Sequence, residues 1–413
     1  LFGRGVPEPT SHRLAINGHY HHLRLGGGGD LLAQTVPIQS GLKPAIGDQD
    51  RMASNHLKIL RFNPNDNVAV AMDALVAGDY VEDGAFTAKE DIPAGHKIAV
   101  RNIKIETAVY KYGQIIGFAS QDISTGQHVH DHNVTMGHFT RDYAIAKDAR
   151  PPEKVTGKEQ ASFGGIVRPD GRVATRNFIG VLSTVSCSSS VARFIANEMR
   201  DEIANDYPNV DGIVALGHGA GCCHTPDSEG LLFLQRVLAG YARHPNFGGI
   251  ALVGLGCEVN HLGCLIDTTG LIPGPLLKPV DIQKTGGTNA AVKAGVAAIR
   301  DMLPAVNAIA RQPVAASHIV LGLECGGSDA YSGISANPAL GKAVDLLVAN
   351  GGTAILSETP EIYGAEHMLT RRAVNSDTAQ KLIRRIKWWQ EYTARHGGEI
   401  NNNPTPGNKA GGI

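Results

Sequence analysis

Neither charge sign is in excess: 38 Lys and Arg face 39 Asp and Glu across 413 residues. So balanced a chain offers no electrostatic reason to bind nucleic acid or an anionic membrane surface. No apolar run approaches the roughly 20 residues that a bilayer-spanning helix needs. The first residues lack the basic-then-apolar pattern of a secretory signal. A cytoplasmic protein, without membrane or nucleic-acid partners, is the expectation. Cysteines number six and aromatics reach only 5%. Six cysteines in a chain this long do not make a disulfide scaffold, so where they recur at equivalent positions they point to metal binding or catalysis. What is abundant is glycine, with 50 residues, alongside 42% hydrophobic residues. That mixture favours an α/β protein of two or three domains with many tight loops.

The chain divides by texture. Residues 1–56 are rich in Gly and His, have weak periodicity and begin with Leu. They are expected to form a disordered or non-native extension, with a natural start at Met52, and histidines such as His21 and His22 receive no role. Residues 57–137 read as a small β-rich domain, in which short apolar segments alternate with turn signals. Two phrases recur, Asp91-Ile92-Pro93-Ala94-Gly95-His96 and Asp122-Ile123-Ser124-Thr125-Gly126-Gln127, each a strand-turn-strand device. The second runs into His130-Asp131-His132; in a strand these histidines would share one face, as metal ligands do, or simply face solvent. Residues 138–162 carry Pro and a Lys/Glu run without apolar period and read as a linker.

From 163 to 413 the pattern becomes α/β. Strands are expected at 178–185, 212–216, 249–255, 318–323 and 352–356. Helices are expected at 188–204, 228–242, 290–302, 341–349, 365–374 and 379–394. Alternation of this kind implies a mainly parallel sheet, whose strand C-termini share one edge. Five loops would then meet on a common rim, carrying Cys187, His218 with Cys222, Cys257, Cys325, and Glu358. A single cysteine after a strand is most often a buried small hydrophobe, but four of six at equivalent positions favour a functional set. The loop Cys325-Gly326-Gly327-Ser328-Asp329 is rich in small polar groups and glycines that let backbone approach a ligand. The final stretch, 403–413, is another dense loop with no element after it, so the body is expected to be cut short.

Taken together, several phrases resemble the altronate/galactarate dehydratase family of sugar-acid dehydratases. They are Asp66-Asn67-Val68-Ala69-Val70, Gly95-His96-Lys97, Lys111-Tyr112-Gly113, Thr175-Arg176-Asn177, His218 with Gly221-Cys222, Gly254 to Glu258, Cys325 to Asn337, Glu358 to Glu361, and Pro404 to Gly412. The stretches 129–133 and 361–366 are closer to altronate-type members. The resemblance implies an N-terminal SAF-type, β-clip-like domain joined to a larger α/β body. It implies a hydro-lyase that converts a sugar acid into a 2-keto-3-deoxy acid, with Fe2+ or Mn2+ as cofactor, or alternatively an iron–sulfur cluster. Metal-ligand candidates are His218, Cys222, Cys257 and Cys325, or the pair His130 and His132. Base candidates are His96 and Lys97, carboxylate clamps are Lys111 and Arg176, and contacts to the polyol are Ser328, Asp329, Ser332, Asn337 and Glu358. Ala174, Cys223-His224 and His261 depart from the family pattern and bear on the substrate. A sulfolactate-type sulfo-lyase and a non-catalytic sugar-acid binder are the alternative readings. The expected partner is the small sugar acid, and assembly into a homo-oligomer is compatible with the sequence.

Overall fold

The computed structural model describes residues 58–81, 85–137, 141–401 and 405–413. The expected extension lies outside the described residues. The β-rich domain holds β1 (Ile59–Leu60), β2 (Val68–Ala71), β3 (Tyr80–Val81), β4 (Phe86–Thr87), β5 (Lys97–Ala99), β6 (Ala108–Lys111), β7 (Gln114–Ala119), β8 (His128–Val129) and β9 (Val134–Thr135). An antiparallel sheet runs β1-β2-β5-β8 and a second runs β6-β7-β9. The two repeated phrases fold alike. Gly95 and Gly126 both adopt positive φ, 84° and 87°, a conformation that costs glycine little. Ile92 and Ile123 are buried and form equivalent bridges to Leu75 and Ile103.

One buried carboxylate shapes the β6–β7 turn. Asp66, fully buried, accepts the amides of Asn63 at 3.0 Å, Tyr112 at 3.0 Å and Gly113 at 2.7 Å. Tyr112 and Gly113 both take positive φ, 58° and 69°, strained for tyrosine and held by those bonds. A Cβ on Gly113 would lie 2.7 Å from the Asn63 side-chain nitrogen Nδ2.

The body begins with β10 (Ser162–Val167), β11 (Val173–Ala174) and β12 (Phe178–Ser183), followed by α1 (Ser189–Asp206), β13 (Gly212–Leu216), α2 (Glu229–Ala242), β14 (Phe247–Gly254) and α3 (Leu262–Thr269). Next come β15 (Leu277–Asp281), α4 (Ile282–Thr285) and α5 (Thr288–Asn307). A parallel sheet has the order β13-β12-β14-β15. Alternation along β12 divides its side chains: Ile179 and Val181 pack into the core with α1 and α5, and Leu182 into that with α2 and α3. At the first interface Ile195 of α1 lies over Gly295 of α5, where a Cβ would sit 2.4 Å from its Cδ1.

After β16 (Gln312–Ala315), which pairs antiparallel with β10, come β17 (Val320–Leu323), α6 (Asn337–Ala349), β18 (Thr353–Leu356), α7 (Glu366–Thr370), α8 (Ser376–Arg395) and α9 (Pro406–Ala410). Here the expectation of a single rim is corrected. β17 and β18 pair with each other in parallel and form a separate two-stranded sheet. The parallel sheet ends at β15, a strand hidden in the sequence by Pro279, which an edge position tolerates. The chain then leaves through α5 and enters the β10–β16 pairing. Cys325 and Glu358 therefore do not share an edge with Cys187, Cys222 and Cys257. Val320, Ile355 and Leu356 on the small sheet are more than half exposed, at 63%, 52% and 54%.

Two outcomes check this packing. Ile195→Ala should lower stability by about 2–5 kcal/mol, read as a drop in the urea midpoint. Asp66→Ala should speed amide hydrogen exchange at Tyr112 and Gly113 by about tenfold or more, because each bond to a charged acceptor contributes about 1.5–3 kcal/mol.

Candidate active site

The Gly95 turn delivers His96 and Lys97 to the start of β5, and the Asp66-held turn delivers Lys111 and Tyr112 from β6. Facing them is the polar loop after β17. Between the two lies a cavity of ≈ 520 Å³, a size suited to a small ligand. Lys97, Lys111, Tyr112, His130 and Asp131 line one wall, and Ser328, Asp329, Ser332 and Asn337 the other. Lys409 and Gly412 close one side, and Ile116, Val134 and Met136 add apolar surface. Three lysines against two aspartates make the lining net cationic.

Lys97 and Lys111 are both buried. Burial, reinforced by the neighbouring Lys111 charge, lowers the Lys97 amine to about 8. Burial also lowers Lys111, against an opposing pull from Asp66. The Lys97 Nζ donates to the Gly412 carbonyl at 2.8 Å. The Lys111 Nζ sits 4.9 Å from the Tyr112 ring centroid, and that ring packs on Phe62 at 4.6 Å. Burial, then the Asp66 charge, raises the Tyr112 phenol, so it keeps its proton at neutral pH.

Beside the lysines, four histidines cluster. The His96 ring lies 5.1 Å from His128 and 4.9 Å from His130, and the His128 ring lies 5.2 Å from His132. A carbonyl only accepts, so His96 Nε2–H donates to Ala410 O at 3.0 Å. His96 Nδ1 lies 3.0 Å from His128 Nε2 and shares a hydrogen bond with it. Both nitrogens of His96 are thus engaged by protein atoms, while Lys97, His130 and Asp131 line the cavity. Burial first, then the neighbouring histidines and Lys97, push His128 down to about 4, and burial lowers His130.

His130 and His132 do not extend a strand, contrary to expectation. β8 stops at Val129 because Asn133 closes a turn: its Oδ1 accepts His130 N–H and its Nδ2 donates to His128 O. Arg176 lies apart from the cavity, on the segment leading into the N-terminal end of β12. Its guanidinium donates to the Thr175 carbonyl. Glu358 also stands outside the lining; its carboxylate accepts the Cys325 amide at 2.7 Å across the small sheet.

At the C-terminal edge of the parallel sheet, β13 and β14 leave β12 on opposite sides, the usual place for a ligand crevice. There the His218 ring and the Glu258 carboxylate are already engaged. His218 Nε2–H donates to Ser183 O and its Nδ1 accepts the Ala220 amide, both at 3.2 Å. That leaves no ring lone pair for a metal. The Glu258 carboxylate accepts Thr184 Oγ1 and the amides of Leu255 and Gly256. Cys222 Sγ lies 3.8 Å from Cys223 Sγ, while Cys325 Sγ contacts Ser328 Oγ at 3.1 Å on the other sheet. Among the described residues no three His, Cys, Asp or Glu side chains are gathered as a metal ion requires. Tyr112, Asp131 and Lys409 line the cavity as well, beyond the site residues expected from the sequence. The Lys111-Tyr112-Gly113 phrase was the one available signal for Tyr112.

Three family models match along the chain: an altronate/galactarate dehydratase SAF domain at 57–137, a D-galactarate dehydratase/altronate hydrolase second domain at 165–307, and a D-galactarate/altronate dehydratase C-terminal domain at 316–413. The altronate dehydratase of Bacillus subtilis (strain 168) is 34% identical over 356 residues, 86% of this chain and 70% of that protein. The altronate dehydratase of Escherichia coli (strain K12) is 34% identical over 361 residues, covering 86% and 71%. The galactarate dehydratase (L-threo-forming) of Escherichia coli (strain K12) is 33% identical over 362 residues, covering 86% and 69%. With its cavity set between the SAF region and the C-terminal region, this chain belongs to the altronate/galactarate dehydratase family.

Proposed function

We propose that the chain removes water from an open-chain sugar acid, an altronate-type aldonate or an aldarate, to give the 2-keto-3-deoxy acid. The observation that carries this reading is the pair of buried amines, Lys97 and Lys111, on one wall of a cavity whose other wall bears hydroxyl, carboxylate and amide groups. A polyol carboxylate matches both walls.

The difficult step is loss of the proton at C2, beside a carboxylate. Lys97 suits the base: burial brings its amine to about 8, so a useful fraction is neutral near physiological pH. The electron pair released at C2 moves onto the carboxylate. Lys111 and Lys409 are the cations available to stabilise the resulting dianion, in a site where burial strengthens their field. Tyr112 retains its phenolic proton and can pass it to the C3 hydroxyl as that group leaves as water. The enol then tautomerises, C3 taking a proton. Asp131 and Asp329 accept from the remaining hydroxyls, with Ser328, Ser332 and Asn337 completing their recognition.

Incubation with D-altronate, galactarate and sulfolactate, with and without added Fe2+ or Mn2+, tests the class of reaction. Formation of a 2-keto-3-deoxy product from a sugar acid is expected, and deuterium from heavy water should enter at C3. Lys97→Met should lower kcat by about 10²–10⁴-fold; unchanged kcat would remove Lys97 from the chemistry. Because only the unprotonated amine accepts a proton, kcat/KM should rise with pH and level off above about 8. A profile flat from pH 6 upward, roughly 2 units below that value, would contradict the assignment.

A further inference from the structure

Three consecutive backbone carbonyls near residue 412 each hold a different part of the cavity. Ala410 O accepts from His96 Nε2, Gly411 O accepts the Ala330 amide at 2.9 Å, and Gly412 O accepts from Lys97 Nζ. The segment is anchored behind by Asn408, whose Nδ2 donates to Ser328 O at 2.7 Å. It crosses the Gly95 turn at a separation only glycine permits. A Cβ on Gly412 would lie 2.6 Å from Gly95 O, 2.8 Å from Gly95 C and 3.0 Å from Ala330 Cβ. Its φ of 91° disfavours a side chain as well. From the opposite side, a Cβ on Gly95 would meet Ala330 Cβ at 3.2 Å. The Gly95 turn and the 410–412 strap are thus built to touch, and His96 and Lys97 are the two side chains that the contact delivers.

We infer that Gly412 is a positioning residue for the Lys97 amine: its carbonyl aims the amine into the cavity, and its missing side chain lets the strap cover that amine. This rests on the reading of Lys97 as the base, and deepens it. The titratable groups facing Lys97 are Lys111 and Tyr112 at the end of β6, His128 of β8, His130 and Asp131 just beyond β8, Asp329 after β17, and Lys409 on α9. Covering by the strap contributes to the burial that lowers Lys97. A displaced strap uncovers the amine, and its titration returns toward the ordinary lysine value.

The test compares the wild-type chain with Gly412→Ala, using Gly407→Ala as control; a Cβ there meets nothing closer than Thr405 Oγ1 at 3.8 Å. Acetic anhydride labelling across a pH series, with the Lys97 peptide quantified by mass spectrometry, reads the titration of the amine. Initial rates on whichever sugar acid the wild type consumes give kcat and KM. In Gly412→Ala the Lys97 midpoint should rise by about half a pH unit or more. The same change should cut kcat by about tenfold or more while KM stays within about threefold. Gly407→Ala should match the wild type in both. An unmoved midpoint, or an unmoved kcat, overturns the assignment. If Gly412→Ala fails to fold, Asn408→Ala loosens the same strap without adding bulk, and the same two shifts are required of it. If the wild type consumes no sugar acid, the dehydratase reading fails on its own. The labelling midpoint then decides alone whether Gly412 places the amine, a rise supporting it and no rise overturning it.

Discussion

Burying a lysine amine against a backbone carbonyl, rather than against a carboxylate, is the constraint from which the rest of this site follows. A carboxylate partner would hold the proton on strongly; a neutral carbonyl in a covered position aims the group while holding the proton far less. Burial lowers Lys97 to about 8, and on the proposed reading a residue that is ordinarily a fixed cation serves as a base. Each nearby device serves that placement. The Gly95 turn sets the start of β5, Asp66 holds the turn that brings Lys111 close, and the glycines at 411 and 412 let a carbonyl reach in. The histidines alongside are tied through His96 to the Ala410 carbonyl.

Much of the fold was legible. The strand at 212–216 and the helices after β12 and β13 followed from the alternation of strand and helix patterns; in the structure Ser228 caps α2 by accepting the Leu231 amide. The repeated Asp-Ile-x-x-Gly phrase announced two equivalent turns. The division of the body into two sheets was not legible, because strand alternation fixes parallel pairing but not which strands pair. Pro279 concealed β15, and that edge strand is where the first sheet stops. The turn at 130–133 was hidden for another reason: alternating His and Asp read as a strand, whereas the Asn133 side chain closes the backbone into a turn.

The same distinction separates the two candidate sites. Cysteines after strands suggested a rim of soft ligands, yet hydrogen bonds already use both His218 nitrogens and both Glu258 oxygens. Lys97, Lys111 and the Ser328–Asn337 loop are far apart in sequence and were recognised as separate phrases. Folding gathers them around one cavity, between the SAF region and the C-terminal region of the chain. Arg176, adjacent in the family pattern to a structural asparagine, remains at the opposite end of β12.

The central claim is that the substrate carboxylate binds where Lys97 and Lys111 face the polar loop. A crystal structure with a non-reacting sugar-acid analogue, such as the 3-deoxy acid, which lacks the leaving hydroxyl, tests it most directly. The account predicts the analogue's carboxylate within hydrogen-bond distance of Lys111 and its C2 next to the Lys97 amine, with its hydroxyls on Ser328, Asp329 and Asn337. An analogue bound instead at the Cys222–Cys257 edge of the parallel sheet, with the lysine cavity empty, would contradict it.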